Sequence, residues 1–186
     1  TTLIQSGKSS ARLSAAIRKT GEISIEVWLQ PANTDLVGPA RIITLSRGPS
    51  ERNFTLGQDK DRFEVRLRTT RTSKNGVPSL SSQRRSLQTK LMHVVYTRDK
   101  QGRSQITING KRNAAKKIPG VLSNWNGGYK LALANELSND RPWQGTYYLV
   151  AVYNRALSAS EIQQNFKVGA GAQAKIAAAV ERKAAI

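Results

Sequence analysis

Cysteine is absent from this chain of 186 residues, and His93 is its only histidine. The lack of cysteine excludes a disulfide framework and thiol chemistry. With no cysteine and a single histidine, a zinc site or a Ser-His-Asp triad is disfavoured. Aromatic residues make up only 6% of the chain, and no apolar run approaches membrane-spanning length. The chain opens at Thr1 without a signal peptide, which we interpret as a processed or excised piece; we expect an extracytoplasmic location.

Acidic residues are also scarce. Twelve Asp and Glu stand against thirty Lys and Arg, which gives a net charge of +18. A field of that sign concentrates polyanions, so the expected partner is a polyanionic glycan or an acidic protein surface. Adaptation to a salty or acidic habitat, with no partner at all, is the alternative. Nucleic acid is disfavoured because the chain lacks known nucleic-acid-binding signatures and has few aromatics for base stacking.

Strand patterns dominate the chain. Over residues 23–29 every second residue is aliphatic, which is the period of a strand with one face in the core. Ile106 and Ile108 lead into Asn109-Gly110, a strong hairpin signal. Residues 147–153 form a nearly continuous apolar run, which predicts a strand covered on both faces. Residues 75–85 are rich in Ser and Arg and predict a mobile loop. Many short strands between turn residues predict an all-β sandwich of two antiparallel sheets.

The C-terminal part of the chain carries the helix signals. Ser158 and Glu161 have the spacing of a capping box, and Ile162 and Phe166 fall on one face of the helix that follows. The composition then becomes rich in Ala and basic residues. We therefore predict a β-sandwich domain over residues 1–168 and a helical basic tail or linker over residues 169–186, which could hold the domain to other chains.

Several segments resemble one known family. Residues 131–166 read LALANELSNDRPWQGTYYLVAVYNRALSASEIQQNF, and shorter segments read GEISIEVWLQPA (21–32), NFTLGQ (53–58), HVVYTRD (93–99) and ITING (106–110). In order and spacing they resemble the laminin-G-like, or concanavalin A-like, jelly-roll domain, closest to its bacterial versions in multidomain proteins. The resemblance implies a jelly-roll sandwich that serves mainly as a binding scaffold, although fold alone does not define function.

The leading hypothesis is a non-catalytic module that recognises an anionic glycan through a basic sheet face and its loops. The residues expected to bind the ligand are arginines of one strand and its loops, together with a tryptophan in a polar turn: Arg66, Arg68, Arg71, Arg84, Arg85 and Trp125. Further basic residues cluster over 111–117. The alternative is a structural subunit that docks an acidic partner through the basic surface and tail. For Trp143, packing at the start of the next strand is favoured over sugar stacking.

A third hypothesis is an endoglycanase. Glu22, Ser24 and Glu26 share one face of a strand and resemble the E-I-D-I-E strand of glucanases with this fold. Ser24 replaces the middle aspartate that would tune the pKa of the catalytic pair. We therefore predict that the protein is not an enzyme, and that His93 is structural.

The family resemblance also implies calcium as a possible cofactor. The best cluster of oxygen ligands is Asn135, Glu136, Asn139 and Asp140, and a second is Asp59 with Asp61. The alternative is turn chemistry, with Asp140 paired to its neighbouring arginine. Nearby positive charge would weaken a divalent site.

Overall fold

The computed structural model describes residues 2–169. Its strands are Ile4–Gln5 (β1), Ile23–Pro31 (β2), Ala40–Gly48 (β3), Glu51–Asp59 (β4), Arg62–Leu67 (β5), Leu80–Ser81 (β6), Met92–Arg98 (β7), Arg103–Ile108 (β8), Lys111–Lys117 (β9), Lys130–Leu133 (β10) and Gly145–Tyr153 (β11). The helices are Ala11–Thr20 (α1) and residues 159–169 (α2). Sheet A has the order β1-β10-β3-β4-β5-β6 and sheet B the order β11-β2-β7-β8-β9. The predicted sandwich of two antiparallel sheets is confirmed.

The core lies between the two sheets, as the alternation in β2 predicts. Ile23, Ile25, Val27 and Leu29 are all fully buried there, and each contributes roughly 1.5–3 kcal/mol by leaving water. The opposite face of β2 is buried as well, because α2 and the segment before it pack against that face. Sheet B is therefore covered on both sides along this strand.

The predicted hairpin is confirmed. Ile108 pairs with Lys111, so Asn109 and Gly110 form a two-residue turn, with φ of 50° and 75°. Positive φ at both positions is the backbone requirement of a type I′ turn, and Asn-Gly satisfies it at low cost. The turn projects β9 beyond β8 as the outermost strand of sheet B.

Helix α1 was not predicted from the sequence. Ile17 is fully buried in the core, and Gly21 ends the helix with a left-handed φ of 70° and a backbone hydrogen bond to Ile17 O. The signals were present, since Arg18 and Lys19 occupy the last turn and glycine follows it. The apolar face of α1 is short, with only Leu13 and Ile17 against the core, so the sequence offers few apolar positions from which to predict a helix.

Strand β11 corrects one expectation. None of its nine residues is fully buried, and the exposed fraction of Tyr148 is 48%. The prediction that residues 147–153 are covered on both faces is wrong because β11 is the edge of sheet B. Its apolar residues pack on two sides: Val150 packs against the core, and Tyr153 packs against the small apolar cluster beneath α2.

Two local predictions have different outcomes. The capping box is confirmed, since Ser158 N donates to Glu161 Oε2 at 2.8 Å and Ile162 is buried. Residues 75–85 are not simply a loop, because Leu80–Ser81 pairs with β5 as β6.

The predicted tail over 170–186 lies outside the described residues, and the boundary at 168 stays a prediction. In the described part of the chain, no helix has the length and apolar character needed to cross a membrane.

Candidate functional site

The arginines predicted on and beside β5 do not form a free basic stripe. Arg66 Nε donates to Glu64 Oε1 at 2.7 Å, and its guanidinium also reaches Asn75 at 3.3 Å. Arg68 donates to the Tyr129 hydroxyl at 3.2 Å. Arg71 is exposed on the loop after β5. The structure therefore gives Arg66 and Arg68 intramolecular partners.

Trp125 was expected to be exposed, and this expectation is wrong. The exposed fraction of Trp125 is 3%, its Nε1 donates to Arg68 O at 2.7 Å, and its ring lies 6.0 Å from that of Phe54. The polar turn that follows folds back because Asn126 N donates to Asn53 Oδ1 at 2.9 Å. These bonds close the end of sheet A over Trp125.

The other tryptophans are also buried. Trp143 Nε1 donates to Gln58 Oε1 at 3.0 Å, which confirms the packing interpretation of this residue. Trp28 lies between sheet B and α2, with its ring 4.7 Å from His93 and 6.0 Å from Phe166. With all three tryptophans 5% exposed or less, none of them offers a stacking platform for a sugar.

Glu136, predicted as a calcium ligand, has a different role. Its carboxylate is fully buried and accepts a hydrogen bond from Arg41 Nε at 2.8 Å, with Arg52 Nη1 4.0 Å away. Ser46 and the backbone N–H of Leu137 bond the other oxygen. A carboxylate shared by two buried arginines has no free oxygen for a cation, so this geometry argues against Glu136 as a calcium ligand.

The two buried arginines are strongly perturbed by this arrangement. Burial and then repulsion from Arg41 lower the pKa of Arg52 to about 9, and the attraction of Glu136 offsets these effects only in part. Burial likewise lowers the pKa of Arg41 against the opposing hydrogen bond from Glu136. The cluster carries an excess positive charge, which disfavours a divalent cation beside it.

The remaining members of the predicted calcium cluster are structural or exposed. Asn135 Oδ1 accepts from the backbone N–H groups of Glu136 and Arg141, both at 2.9 Å. Asn139 and Asp140 are exposed, and calcium binding by them stays a prediction. In the second cluster Asp59 pairs with Arg62 at 2.8 Å. Within residues 2–169, no group of three or more His, Cys, Asp or Glu is arranged to hold a metal.

The strand with the glucanase-like pattern is not a cleft. Glu26 is fully buried, 2.7 Å from His93 Nε2, and also accepts from the Tyr153 hydroxyl at 2.8 Å and from Asn165 at 3.1 Å. Burial by itself raises the pKa of Glu26, but the hydrogen bonds from His93, Tyr153 and Asn165 outweigh it and lower the pKa. The endoglycanase hypothesis needs this carboxylate exposed to substrate, so the structure contradicts it.

The other two residues of that pattern hold the chain segment before α2. Ser24 Oγ donates to Arg155 O at 2.7 Å and accepts from Leu157 N at 2.9 Å. Glu22 Oε2 accepts from Ala156 N at 3.3 Å. The whole face is thus occupied by residues of this chain, and the prediction that His93 is structural agrees with its place beside Glu26.

A depression lies on the outer side of sheet B. We call it the basic groove, and its volume is about 560 Å³. Strands β8 and β9 form its floor, and the start of α2 forms one wall. Its lining includes four cations and one carboxylate: Arg103, Arg112, Lys116, Lys117 and Asp99.

The groove has an unbalanced positive charge. Arg103 Nε donates to Asp99 Oδ2 at 2.6 Å; burial raises the pKa of Asp99, but the bonds from Arg103 outweigh it and lower the pKa. No carboxylate of residues 2–169 lies within 4.0 Å of Arg112, Lys116 or Lys117. Lys116 Nζ donates to Ser79 O at 3.3 Å, so Arg112 and Lys117 are the two cations of the lining that are available to an anionic ligand.

Two further predicted arginines are brought to the same strand. Gln83 N donates to Asn113 Oδ1 at 2.7 Å, which fixes the loop carrying Arg84 and Arg85 against β9. Both arginines are exposed. The sequence alone showed the basic cluster over 111–117 but not its place beside this loop, since the two segments are far apart in the chain.

Comparison with known proteins identifies the family. The profile of the concanavalin A-like lectin/glucanases superfamily matches residues 5–163. No curated protein matches the chain. Among solved structures, the Ruminococcus gnavus IT-sialidase CBM40 bound to alpha2,3 sialyllactose is similar, with 16% identity, a TM-score of 0.65, and coverage of 88% of this chain and 96% of that one.

Two further structures share the fold. The receptor-binding domain of botulinum neurotoxin type G is 16% identical with a TM-score of 0.57; the match covers 80% of this chain but only 38% of that one. A candidate carbohydrate-binding protein from Bacteroides ovatus ATCC 8483 is 20% identical with a TM-score of 0.57, over 79% of this chain and 41% of that one. At these identities the likeness shows the fold alone. The profile match, which spans most of the chain, shows that this protein belongs to the concanavalin A-like lectin/glucanase superfamily.

Proposed function

We propose that this domain is a non-catalytic carbohydrate-binding module that recognises an anionic glycan in the basic groove. The observation that carries the proposal is the lining of the groove, which has four cations and one carboxylate and leaves Arg112 and Lys117 without a carboxylate partner. Guanidinium groups bind carboxylates and sulfates through paired hydrogen bonds, and lysine supplies further point charges. The proposal includes an extracytoplasmic location, where such glycans would be met.

The aromatic residues support an anionic ligand over a neutral one. Neutral sugars are commonly bound by stacking on exposed aromatic rings, yet every tryptophan here is buried. Tyr148 is well exposed, but it lies on β11, at the opposite edge of sheet B from β9. Recognition in the groove therefore depends on charge and hydrogen bonds, with Gln105 as a neutral polar partner.

The comparisons are consistent with binding. Two similar structures carry names that describe carbohydrate binding, one of them in complex with a sialylated sugar. The carboxylate that the glucanase pattern would use, Glu26, is buried and bonded to three side chains of this chain. A non-catalytic module accounts for both observations.

The test compares three forms of the protein on a glycan array and a heparin column. The first is the parent and the second is Arg112→Ala with Lys117→Ala. The third is a matched control, Arg12→Ala with Lys19→Ala, which removes two exposed charges from α1. We expect the parent and the control to bind selected anionic glycans at about 0.3 M salt, where exposed charge is largely screened, and the groove variant to lose that binding. Equal weakening of both variants, or loss of all parental binding at that salt, would overturn the proposal.

A second candidate function is the docking of an acidic protein partner. Strand β9 lies at the edge of sheet B and is rich in basic residues. An extended acidic segment could add to this edge through backbone hydrogen bonds and pair with the lysines. Co-migration with an acidic polypeptide, but with no glycan, would favour this function over the first.

A further inference from the structure

We infer that the basic groove belongs to a continuous track that binds an internal stretch of a linear polyanionic glycan, not a single terminal acidic sugar. This inference rests on the proposed function and specifies its ligand: a chain with anionic groups repeated along its length. The supporting features are three adjoining depressions, the spread of the cations along them, and the exposure of those cations.

The depressions join at Arg112. The basic groove shares Gln105, Arg112 and Ala159 with a second depression of about 280 Å³ that extends along α2 to Ile162. A third depression, of about 500 Å³, is also bordered by Arg112. A ligand that leaves the basic groove in this direction therefore passes Arg112.

The course of the track follows from the packing of α2 on the hairpin. A Cβ placed on Gly110 would lie 2.6 Å from Gln163 Oε1 and 3.0 Å from Phe166, so the helix and the turn are in close contact there. This contact closes the outer face beyond the second depression. The track continues around the edge strand β9, whose residues Lys111, Arg112 and Asn113 line the third depression.

The length of β9 sets the scale of the ligand. Seven residues at about 3.3 Å each span roughly 23 Å. Cations lie at both ends of the strand, Lys111 and Arg112 at the start and Lys116 and Lys117 at the end. One carboxylate could engage only one end, whereas a chain with repeated anionic groups could engage both.

The predicted arginines Arg84 and Arg85 extend the track further. Ser86 and Gln88, from the same loop, line the third depression, and Gln83 is hydrogen-bonded to β9. Both arginines are exposed, as are Arg112 and Lys117. Exposed cations dispersed over a surface are suited to a chain that carries many charges, since each contact is weak and their number provides the affinity.

The experiment measures affinity against chain length by calorimetry, with heparin-derived oligosaccharides of two, four, six and eight sugars and matching galacturonate oligomers. The proteins are the parent, Arg84→Ala with Arg85→Ala, and the α1 control Arg12→Ala with Lys19→Ala. We expect parental affinity to rise with length and to become more salt-dependent as more contacts form. The loop variant should bind the eight-sugar chain about 5- to 10-fold more weakly, as expected for two lost exposed contacts, and the two-sugar chain nearly as well as the parent.

The outcomes separate this inference from the function beneath it. A parent that binds the two-sugar and eight-sugar chains equally well overturns the track and leaves an anionic-glycan site. A loop variant that weakens all lengths equally, or matches the α1 control, does the same. A parent that binds none of the oligosaccharides overturns the proposed function itself.

Discussion

His93 Nε2 lies 2.7 Å from Glu26 Oε1 in a layer between sheet B and α2 where both side chains are fully buried. An ionised carboxylate only accepts hydrogen bonds, so His93 Nε2 is the donor in this contact. The imidazole stacks on Trp28 at 4.7 Å, and the ring of Phe166 lies 6.0 Å from both of them. A strand that resembles a catalytic strand thus serves to hold a helix, which in turn forms a wall of the basic groove.

The first prediction concerns this pair. Replacing Glu26 by Gln places an amide N–H₂ among three donors, and we expect it to lower the free energy of unfolding by about 2–3 kcal/mol. Urea denaturation measures the change. The control is Glu22→Gln, whose partner is a single backbone N–H at 3.3 Å, with an expected loss below about 1 kcal/mol. Polysaccharide hydrolysis by the parent that disappears in Glu26→Gln would contradict the structural role.

The second prediction concerns the buried carboxylate of Glu136. In Glu136→Gln the guanidinium groups of Arg41 and Arg52 lose their counter-charge while remaining buried, and we expect a loss of about 3–5 kcal/mol. Asp140→Asn is the control, since its ion pair with Arg141 is exposed and contributes at most about 1 kcal/mol. Urea midpoints of the three proteins, measured at one pH, provide the comparison. Similar losses in both variants would contradict the role given to Glu136.

The third prediction is a loss of stability in acid. Hydrogen bonds from Ser158 and Arg155 lower the pKa of Glu161 from 4.5 to about 2. Because the folded pKa lies below the unfolded one, the stabilisation is complete above pH 4.5 and is lost as the pH falls toward 2. The carboxylate is 39% exposed, so we expect only about 1 kcal/mol. In Glu161→Gln the urea midpoint should fall less steeply between pH 5 and pH 3 than in the parent. An equally steep fall in both proteins would contradict this role of Glu161.

The fourth prediction concerns the contact between α2 and the hairpin. Gly110 has a φ of 75° and faces Gln163 and Phe166, so Gly110→Ala should cost about 1–2 kcal/mol from backbone strain, and more if Phe166 must move. Thermal unfolding measures the loss. Gly48→Ala, with no atom within 4 Å of the added Cβ, should stay within about 0.5 kcal/mol of the parent. A Gly110→Ala protein as stable as the Gly48 variant would show that this contact is not tight.

Much of the fold could be predicted because its signals are local. The alternation in β2, the Asn109-Gly110 turn and the Ser158 capping box each lie within a few residues, and each is confirmed. Helix α1 was missed because its apolar face has only Leu13 and Ile17 against the core. The burial of β11 was overestimated because an apolar run does not show whether a strand is central or at an edge.

The candidate site could be predicted only in part. The basic clusters at 84–85 and 111–117 were visible as composition, but their meeting depends on a hydrogen bond between Gln83 and Asn113. Trp125 and Glu136 were assigned from polar neighbours that favour exposed turns. In the structure those neighbours bond to one another and close over both side chains.

By itself, the sequence determined the strand periodicity, the turns, the cap of α2 and the net charge of +18, since each depends on neighbouring residues or on composition. Tertiary structure alone decided which charges are available. It paired Glu136 with two arginines and Glu26 with His93, and it left Arg112 and Lys117 facing solvent without a carboxylate partner in the described chain. The reason is that pairing depends on the packing of segments distant in sequence, and burial then determines the strength of each charge.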